Sequence, residues 1–498
     1  DLSEHDRAWW LQEARMLLRG VRVDLELCEA GIRLSEEHKR GLDEELQRVT
    51  GVDSSTKTAK LLEWCGGQIS SMAKGADLDG ASAQVKRVFA LRAEAAGGST
   101  GKFRAFLLQT DVDSRFRHGY TWHGTHPGRH TGGGPQLANL PRGELGLLHW
   151  CPECGAASLE ECEEHPGAGS KHRWDEAIQE HAVHDLKTLP MWEIQRKWRV
   201  PVQKLLAACI RGCVVASPGH DLVCTDYTAI QAVVLSALAE EEWRLEVFRT
   251  HGQIYLASAA RMTGKTVEYY LEYKERMGAD HPDRRIGKQG ELLLQFQGSI
   301  GAMRRAGATG SDEELLWQVQ AWRRANPKIV AFWRLLENAA VNALLCRGRI
   351  FQAGPLAYEW WGGRLLLHLP SGRRVVYHDP QLAQSGTGGR YSLSYMRYNT
   401  NPTKGVFGWR REDTFGGRLT ENAVMGTEVD IVTHTKSHLE PAGYYPVMET
   451  YDEVVAEVAE GQGSVEGFER LLLQVPGFCE DWPIKCAGGF RAKRYLNH

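Results

Sequence analysis

What the sequence lacks narrows it first. No apolar run approaches the roughly 18 residues that a helix needs to cross a bilayer, which argues against a membrane role. Neither sign of charge dominates: 60 Lys and Arg stand against 63 Asp and Glu, a formal net charge of -3. A nucleic-acid partner would therefore be held by local basic clusters, not by overall charge. Such clusters are present in RRIGK, SGRRVVYH, RYNTNPTKGVFGWRR and GGFRAKRY. The eleven Cys mostly lack framework spacing, which suits a reducing cytoplasm. There is no internal repeat and no low-complexity segment. At 498 residues the chain exceeds what one core supports, so two to four subdomains are expected. It opens at Asp1 without an initiator Met or a signal peptide, as a fragment or a processed product would.

Periodicity then supplies the elements. In LSEEHKRGLDEELQRVTG, Ser35 can cap a helix, Leu42, Leu46 and Val49 form its apolar stripe, and Gly51 stops it. SSTKTAKLLEWCGG and ASAQVKRVFALRAEAAGG read as two more helices, and YTWHGTHPGRHTGGGPQLANLP as a loop. LVCTDYTAIQAVVLSALAEEEWRLEVF runs from a strand into a helix, with Asp226 at the junction. A helix starting at Pro282 follows, then helices in SDEELLWQVQAWRRANP and KIVAFWRLLENAAVNALLC. RLLLHLPSGRRVVYH is a hairpin turned at Ser371-Gly372, and GYYPVMETYDEVVAEV is two strands joined at Tyr451-Asp452.

The second hairpin poses a chemical question. Burying an ionised carboxylate is costly unless a cation or hydrogen bonds compensate, so Asp452 and Glu453 form either a solvated turn or a cation site. On the helix after Pro282, Arg284, Lys288, Leu292 and Phe296 recur every four residues and form one oblique stripe. Its cationic half and apolar half suit a nucleoside triphosphate. Asp226 and Asp452, from separate strands, could hold two Mg²⁺ ions that activate a hydroxyl and stabilise a pyrophosphate leaving group. Taken singly these features have ordinary readings: an amphipathic surface helix, a flexible Gly-Pro loop. Their order over some three hundred positions overturns those readings.

In that order the chain resembles the polymerase region of the family A DNA polymerases, on their phage-encoded branch. GRHTGGGPQLANLP is similar to the family's primer-template motif, TDYTAIQ to its first metal motif, and RRIGKQGELLLQFQG to its nucleotide-binding helix. RLTENAVMGT is similar to its second DNA-contact helix, and ETYDEVV to its second metal motif. The resemblance implies an α+β right-hand fold, with an antiparallel palm sheet and helical fingers and thumb. It would comprise a connector (1–24), a thumb (25–110), a palm in two parts (111–240 and 346–498) and fingers (241–345). Asp226 and Asp452 would be the magnesium ligands, with the Tyr227 carbonyl assisting and Glu453 supporting. Arg284 and Lys288 would grip the triphosphate, Lys288 also protonating the pyrophosphate, with Leu292, Phe296, Gln231 and Tyr255 completing the nucleotide site. Arg129, Gln136, Asn139, Arg418, Asn422, Met425 and Tyr451 would face the primer-template. The implied protein is a monomeric enzyme of the host cytoplasm that extends a DNA primer with deoxynucleotides; the stretch before residue 25 leaves no room for a proofreading exonuclease, so that activity is expected to be absent from this chain or to sit in a missing upstream part.

Several positions depart from the family. Gln231 stands where it has Glu, Leu292 where it usually has Phe or Tyr, and Phe296 where it has Tyr. Met425 replaces a Gln and Tyr451 a His. No metal-binding Asp is lost, so catalysis is expected to survive, while sugar selection and minor-groove reading are open to change. Tolerance of a base such as 2-aminoadenine is one expectation from Met425, although core packing is the simpler role for that residue. A single-subunit RNA polymerase and a degenerate DNA-binding homologue are the alternatives. Outside the family pattern lies an insertion at 149–175, in which Cys151, Cys154, Cys162 and His165 have the spacing of a structural zinc site. His172 competes for the fourth position, whereas Cys209 and Cys213 read as buried small hydrophobes.

Overall fold

The computed structural model describes residues 4–73, 76–95, 100–142, 145–155, 157–158, 161–162, 164–167, 170–385, 390–399, 405 and 407–496. Part of the RYNTNPTKGVFGWRR cluster therefore lies outside the described residues. The chain is α+β. At its centre is a four-stranded antiparallel sheet in the order Tyr445–Thr450, Glu453–Ala459, His220–Tyr227, Cys486–Ala492. The apolar centres of its two middle strands, Leu222 to Cys224 and Val454 to Ala456, are covered on both faces. Val223, Val454 and Ala456 enter a core with the helices Pro327–Leu345 and Gly416–Lys436, while Leu222, Cys224 and Val455 enter a second core with the helix Val202–Cys209. A strand segment covered on both sides keeps no polar face, which is why LVC and VVA read as runs and not as alternations.

The long helix Leu25–Thr50 begins eleven residues earlier than the capping signal at Ser35 suggests, its cap being Asp24. Asp24 accepts from Leu27 N at 3.0 Å, and Ser35 lies inside the helix, donating to Thr100 Oγ1. Packing against the helices Gly101–Gln109 and Glu176–Thr188 overrides the mid-helix Ser. Gly51, at φ +75°, ends the helix as expected. A separate core gathers Leu42, Leu46, Leu61, Val85, Val88 and Leu91. Cys209 and Cys213 are buried, as their spacing suggested.

Between the helices of 242–345 and the helix Gly416–Lys436 stands a six-stranded antiparallel meander, Ile350–Ala353, Leu356–Trp361, Arg364–His368, Arg374–Ser385, Arg390–Asn399 and Gly408–Thr414. The sequence signalled only its third and fourth strands, through the Ser371-Gly372 turn. Gly362 and Gly363, both at positive φ, make a two-residue hairpin turn that the flanking Trp residues concealed. Among the described residues, no helix is long and apolar enough to cross a membrane.

Candidate active site

Asp226, next to last in its strand, pairs directly with Glu453, and Tyr227 N donates to Asp452 O at 3.3 Å, so the two short motifs meet at one end of the two middle strands of the central sheet. The turn between the strands is tight enough to hold Tyr451 at φ +62°. Asp452 and Asp226 are half-buried. The Asp452 carboxyl is pushed up to about 6, by burial first and then by the negative charge of Asp226. Glu453 points into the core instead: its carboxylate accepts from the Tyr495 hydroxyl and from the Cys224 thiol. Tyr227 buries its ring and bonds Thr435 Oγ1 at 2.6 Å and Leu472 O at 2.8 Å.

The helix expected to bind the nucleotide spans Arg284–Leu293, starting two residues after Pro282. It ends before Phe296, which falls in the following turn, half-buried against the main core, so the expected four-residue stripe stops at Leu292. Two glycines set how deeply this helix sits. A Cβ at Gly287 would meet Tyr255 O at 2.0 Å, and one at Gly290 would meet the Trp322 ring at 2.7 Å. With the glycine side pressed onto Ile254–Thr263, Lys288 and Leu292 are left exposed. Arg284 lies 5.5 Å from the Tyr255 ring centre and pairs with Asp280 at 3.4 Å. Gln231 sits in the first turn of Ile230–Leu238, half-buried.

An interior anchor that sequence reasoning missed joins these two helices. Buried Glu291 receives Arg244 Nη1 at 2.9 Å, Arg244 Nη2 at 2.5 Å and Trp322 Nε1 at 3.0 Å, while Arg244 Nε donates to Ser236 of Ile230–Leu238 at 2.8 Å. The helix behind Asp226 and the nucleotide helix thus share one buried ion pair. An acidic residue inside an otherwise apolar GELLL run was the available signal.

The residues expected at the primer-template divide into two groups. Arg129, Gln136, Asn139 and Tyr451 come together: Tyr451 OH donates to Asn139 Oδ1 at 3.1 Å, Asn139 Nδ2 donates to Gln136 Oε1 at 3.2 Å, and the Arg129 guanidinium lies 5.4 Å from the Tyr451 ring centre. On Gly416–Lys436, Arg418 donates to Glu412 at 3.2 Å, Met425 is half-buried, and Asn422 is buried and donates to Tyr377 OH at 3.0 Å. Asn422 therefore faces the six-stranded sheet and not solvent. Arg373 ties the two groups, donating to Pro127 O at 2.9 Å and Gly426 O at 2.8 Å.

In the insertion, the ligand atoms of Cys151, Cys154, Cys162 and His165 all lie within 4.8 Å of one another. Cys154 and Cys162 are 3.7 Å apart, against about 3.8 Å for the edge of a tetrahedron with 2.3 Å zinc–sulfur bonds. The Cys162 thiol is drawn below its ordinary range chiefly by its hydrogen bond with His165. His172 is exposed and pairs with Ser170 instead.

No family model matches the chain. It is 31% identical over 496 residues to the DNA polymerase of Bacillus phage SP02, covering 97% of this chain and 70% of that protein. It is 28% identical over 144 residues to the DNA polymerase of Mycobacterium phage D29, covering 28% of this chain and 22% of that protein. Its fold is similar to the polymerase domain of Pol1 from M. smegmatis, solved in complex with a DNA primer-template and dNTP, at a TM-score of 0.60 and 14% identity, over 98% of this chain and 70% of that one. The fold is thus the right-hand polymerase fold, and the chain is an enzyme, a template-directed DNA polymerase belonging to family A on its phage-encoded branch.

Proposed function

We propose that this polymerase adds deoxynucleotides to a DNA primer with Asp226 and Asp452 as the ligands of two Mg²⁺ ions. The observation that carries this is the meeting of Asp226, on one middle strand, with Asp452, in the turn that leads into the other, at one end of the sheet, with Asp452 raised by burial and by its neighbour. Such a pair gains from a divalent cation, and carboxylate oxygens with the Tyr227 carbonyl are the donors magnesium takes. When bound, the metal pair supplies activation of the primer hydroxyl and charge stabilisation at the leaving pyrophosphate.

The chain's own residues do the rest. Arg284 and Lys288 bind the triphosphate, and Lys288 gives a proton to the departing pyrophosphate oxygen. Tyr255, Leu292, Phe296 and Gln231 shape the nucleotide pocket, and Arg129, Gln136, Asn139 and Tyr451 orient the primer end. Residues 25–110 serve as thumb, 111–240 and 346–498 as palm and 241–345 as fingers, in a monomer working in the host cytoplasm. Met425, without a minor-groove donor, leaves room for a modified base such as 2-aminoadenine.

Primer extension on a primed template with deoxynucleotides or ribonucleotides tests the reading. The wild type should prefer deoxynucleotides, and Gln231→Ala should weaken that preference by about tenfold, about 1.4 kcal/mol of differential transition-state binding. A wild type preferring ribonucleotides is an RNA polymerase. For the insertion we propose a structural zinc held by Cys151, Cys154, Cys162 and His165. Metal analysis should find about one zinc per chain, lost on combining Cys151→Ser with Cys154→Ser.

A further inference from the structure

We propose that the outer face of the six-stranded sheet is a stacking platform for the single-stranded template ahead of the primer, built by Tyr398, Trp409 and Phe407; this rests on the polymerase reading above. Tyr398 and Trp409 are register partners on the last two strands, and Tyr398, Trp409 and Phe407 are 46%, 54% and 60% exposed. The rings cluster edge to face. Tyr398 lies 5.7 Å from Phe407 and 5.5 Å from Trp409, and Trp409 lies 5.2 Å from His378 of the strand Arg374–Ser385. Leu393 and Tyr395, which point to the other side of the same strand, enter the main core, so the sheet turns one face to the interior and leaves this aromatic face outside. A contiguous aromatic patch of this kind marks a binding surface. Aromatic rings stack on bases of any sequence once those bases are unpaired, and in a primer-template the unpaired bases are those of the template beyond the primer end.

The charge around the patch favours a nucleic acid over a protein or a second copy of this chain. Residues 364–414 carry eight Lys and Arg against three Asp and Glu, within a chain of net charge -3. On the outer face Arg364 and Arg374 are exposed and enter no ion pair among the described residues. Behind the patch Arg397, Arg410 and Arg418 all turn to Glu412, at 3.3, 2.9 and 3.2 Å, so one carboxylate meets three guanidiniums. Such an excess repels a second copy of itself and attracts phosphates. The same sheet borders the loop that carries Arg129: Arg373, just after the Ser371-Gly372 turn, donates to Pro127 O at 2.9 Å, and His126 packs on Tyr377 and Tyr395 with ring centres 4.7 and 5.1 Å away. With the primer end at that loop, as proposed above, the template strand leaving it has this sheet within reach.

Fluorescence anisotropy of labelled primer-templates with template overhangs of about two or about twelve nucleotides tests the proposal. The wild type should bind the long overhang about tenfold tighter than the short one, and combining Tyr398→Ala with Trp409→Ala should bring that ratio below about twofold. An abasic overhang of the same length keeps the phosphates and removes the stacking, so the wild type should gain less than about threefold from it. Full gain from the abasic overhang overturns the proposal, because phosphate attraction alone then accounts for the binding. An unchanged ratio in the double variant also overturns it, since rings with a purely structural role would weaken both substrates alike. So does a wild type indifferent to overhang length, the behaviour of a face that docks a protein or a second copy. Should the double variant not fold, Phe407→Ala, at the most exposed of the three rings, should lower the same ratio, and an unchanged ratio there overturns the proposal. A wild type that binds no primer-template overturns the polymerase reading instead.

Discussion

Two acidic clusters lie within a few residues of each other on the same hairpin, and they are built in opposite ways. Glu449, three residues before Asp452, belongs to a buried four-member set: Lys436 bonds Glu13 and Glu449, and His130 lies 3.1 Å from Glu13 and 3.2 Å from Glu449. Two carboxylates face two cations there. Glu449 is held down to about 2, burial being outweighed by Lys436 and then His130, and His130 is raised to about 9, its own burial outweighed first by Glu449 and then by Glu13. Glu13, His130 and Glu449 have metal-ligand spacing, but Lys436 already occupies the position a cation would take. At Asp452 burial and the negative charge of Asp226 outweigh the nearby Arg129, and the carboxyl is raised instead of lowered. A charge-matched cluster ties elements together, here the helix Glu4–Arg19, the loop that carries His130, Gly416–Lys436 and the strand Tyr445–Thr450, whereas a carboxyl raised by its surroundings adds no such tie.

The sharpest test of the contrast is to remove a carboxylate at Asp226 or Asp452. Asp226→Ala or Asp452→Ala should lower single-nucleotide addition by about 10³-fold or more while primer-template binding is largely kept, since on the proposed reading the lost group would hold metal and not the fold; clear residual extension in Mg²⁺ would break the comparison. On the matched side the expected effect is on stability. Lys436→Met leaves two buried carboxylates facing one imidazolium and should cost about 3–5 kcal/mol in denaturant unfolding. The His130 contribution, from a folded value raised to about 9, is fully present below the ordinary imidazole range and lost as pH rises through about 9. The smallest effect has the opposite sign. Asp452 in the folded, metal-free protein holds its proton up to about 6, so its charge lowers stability as pH rises from the ordinary carboxylate range to about 6. Metal-free Asp452→Asn should therefore be more stable than wild type at pH 8, by about 2–3 kcal/mol, with the gap closing as pH falls through 6 towards 4. An Asn variant less stable than wild type at pH 8 would mean that a partner in the protein already compensates Asp452.

What the sequence by itself determined is local or ordered along the chain. The strand-to-helix step at Asp226, the turn at Tyr451-Asp452, the Gly51 stop and the close Cys-His set are legible because turn chemistry and ligand spacing act over a few residues. The helix start at Asp24, four strands of the meander and the end of the nucleotide helix before Phe296 were not legible, since each is set by packing against distant segments. Only the tertiary structure decided which acidic residues are compensated. Glu428 finds Arg129 across 299 positions, Glu13 finds Lys436 across 423, and Arg244 finds Glu291 across 47. Charge matching depends on distance in space and on the loss of water around the pair, and neither is written in the order of residues along the chain.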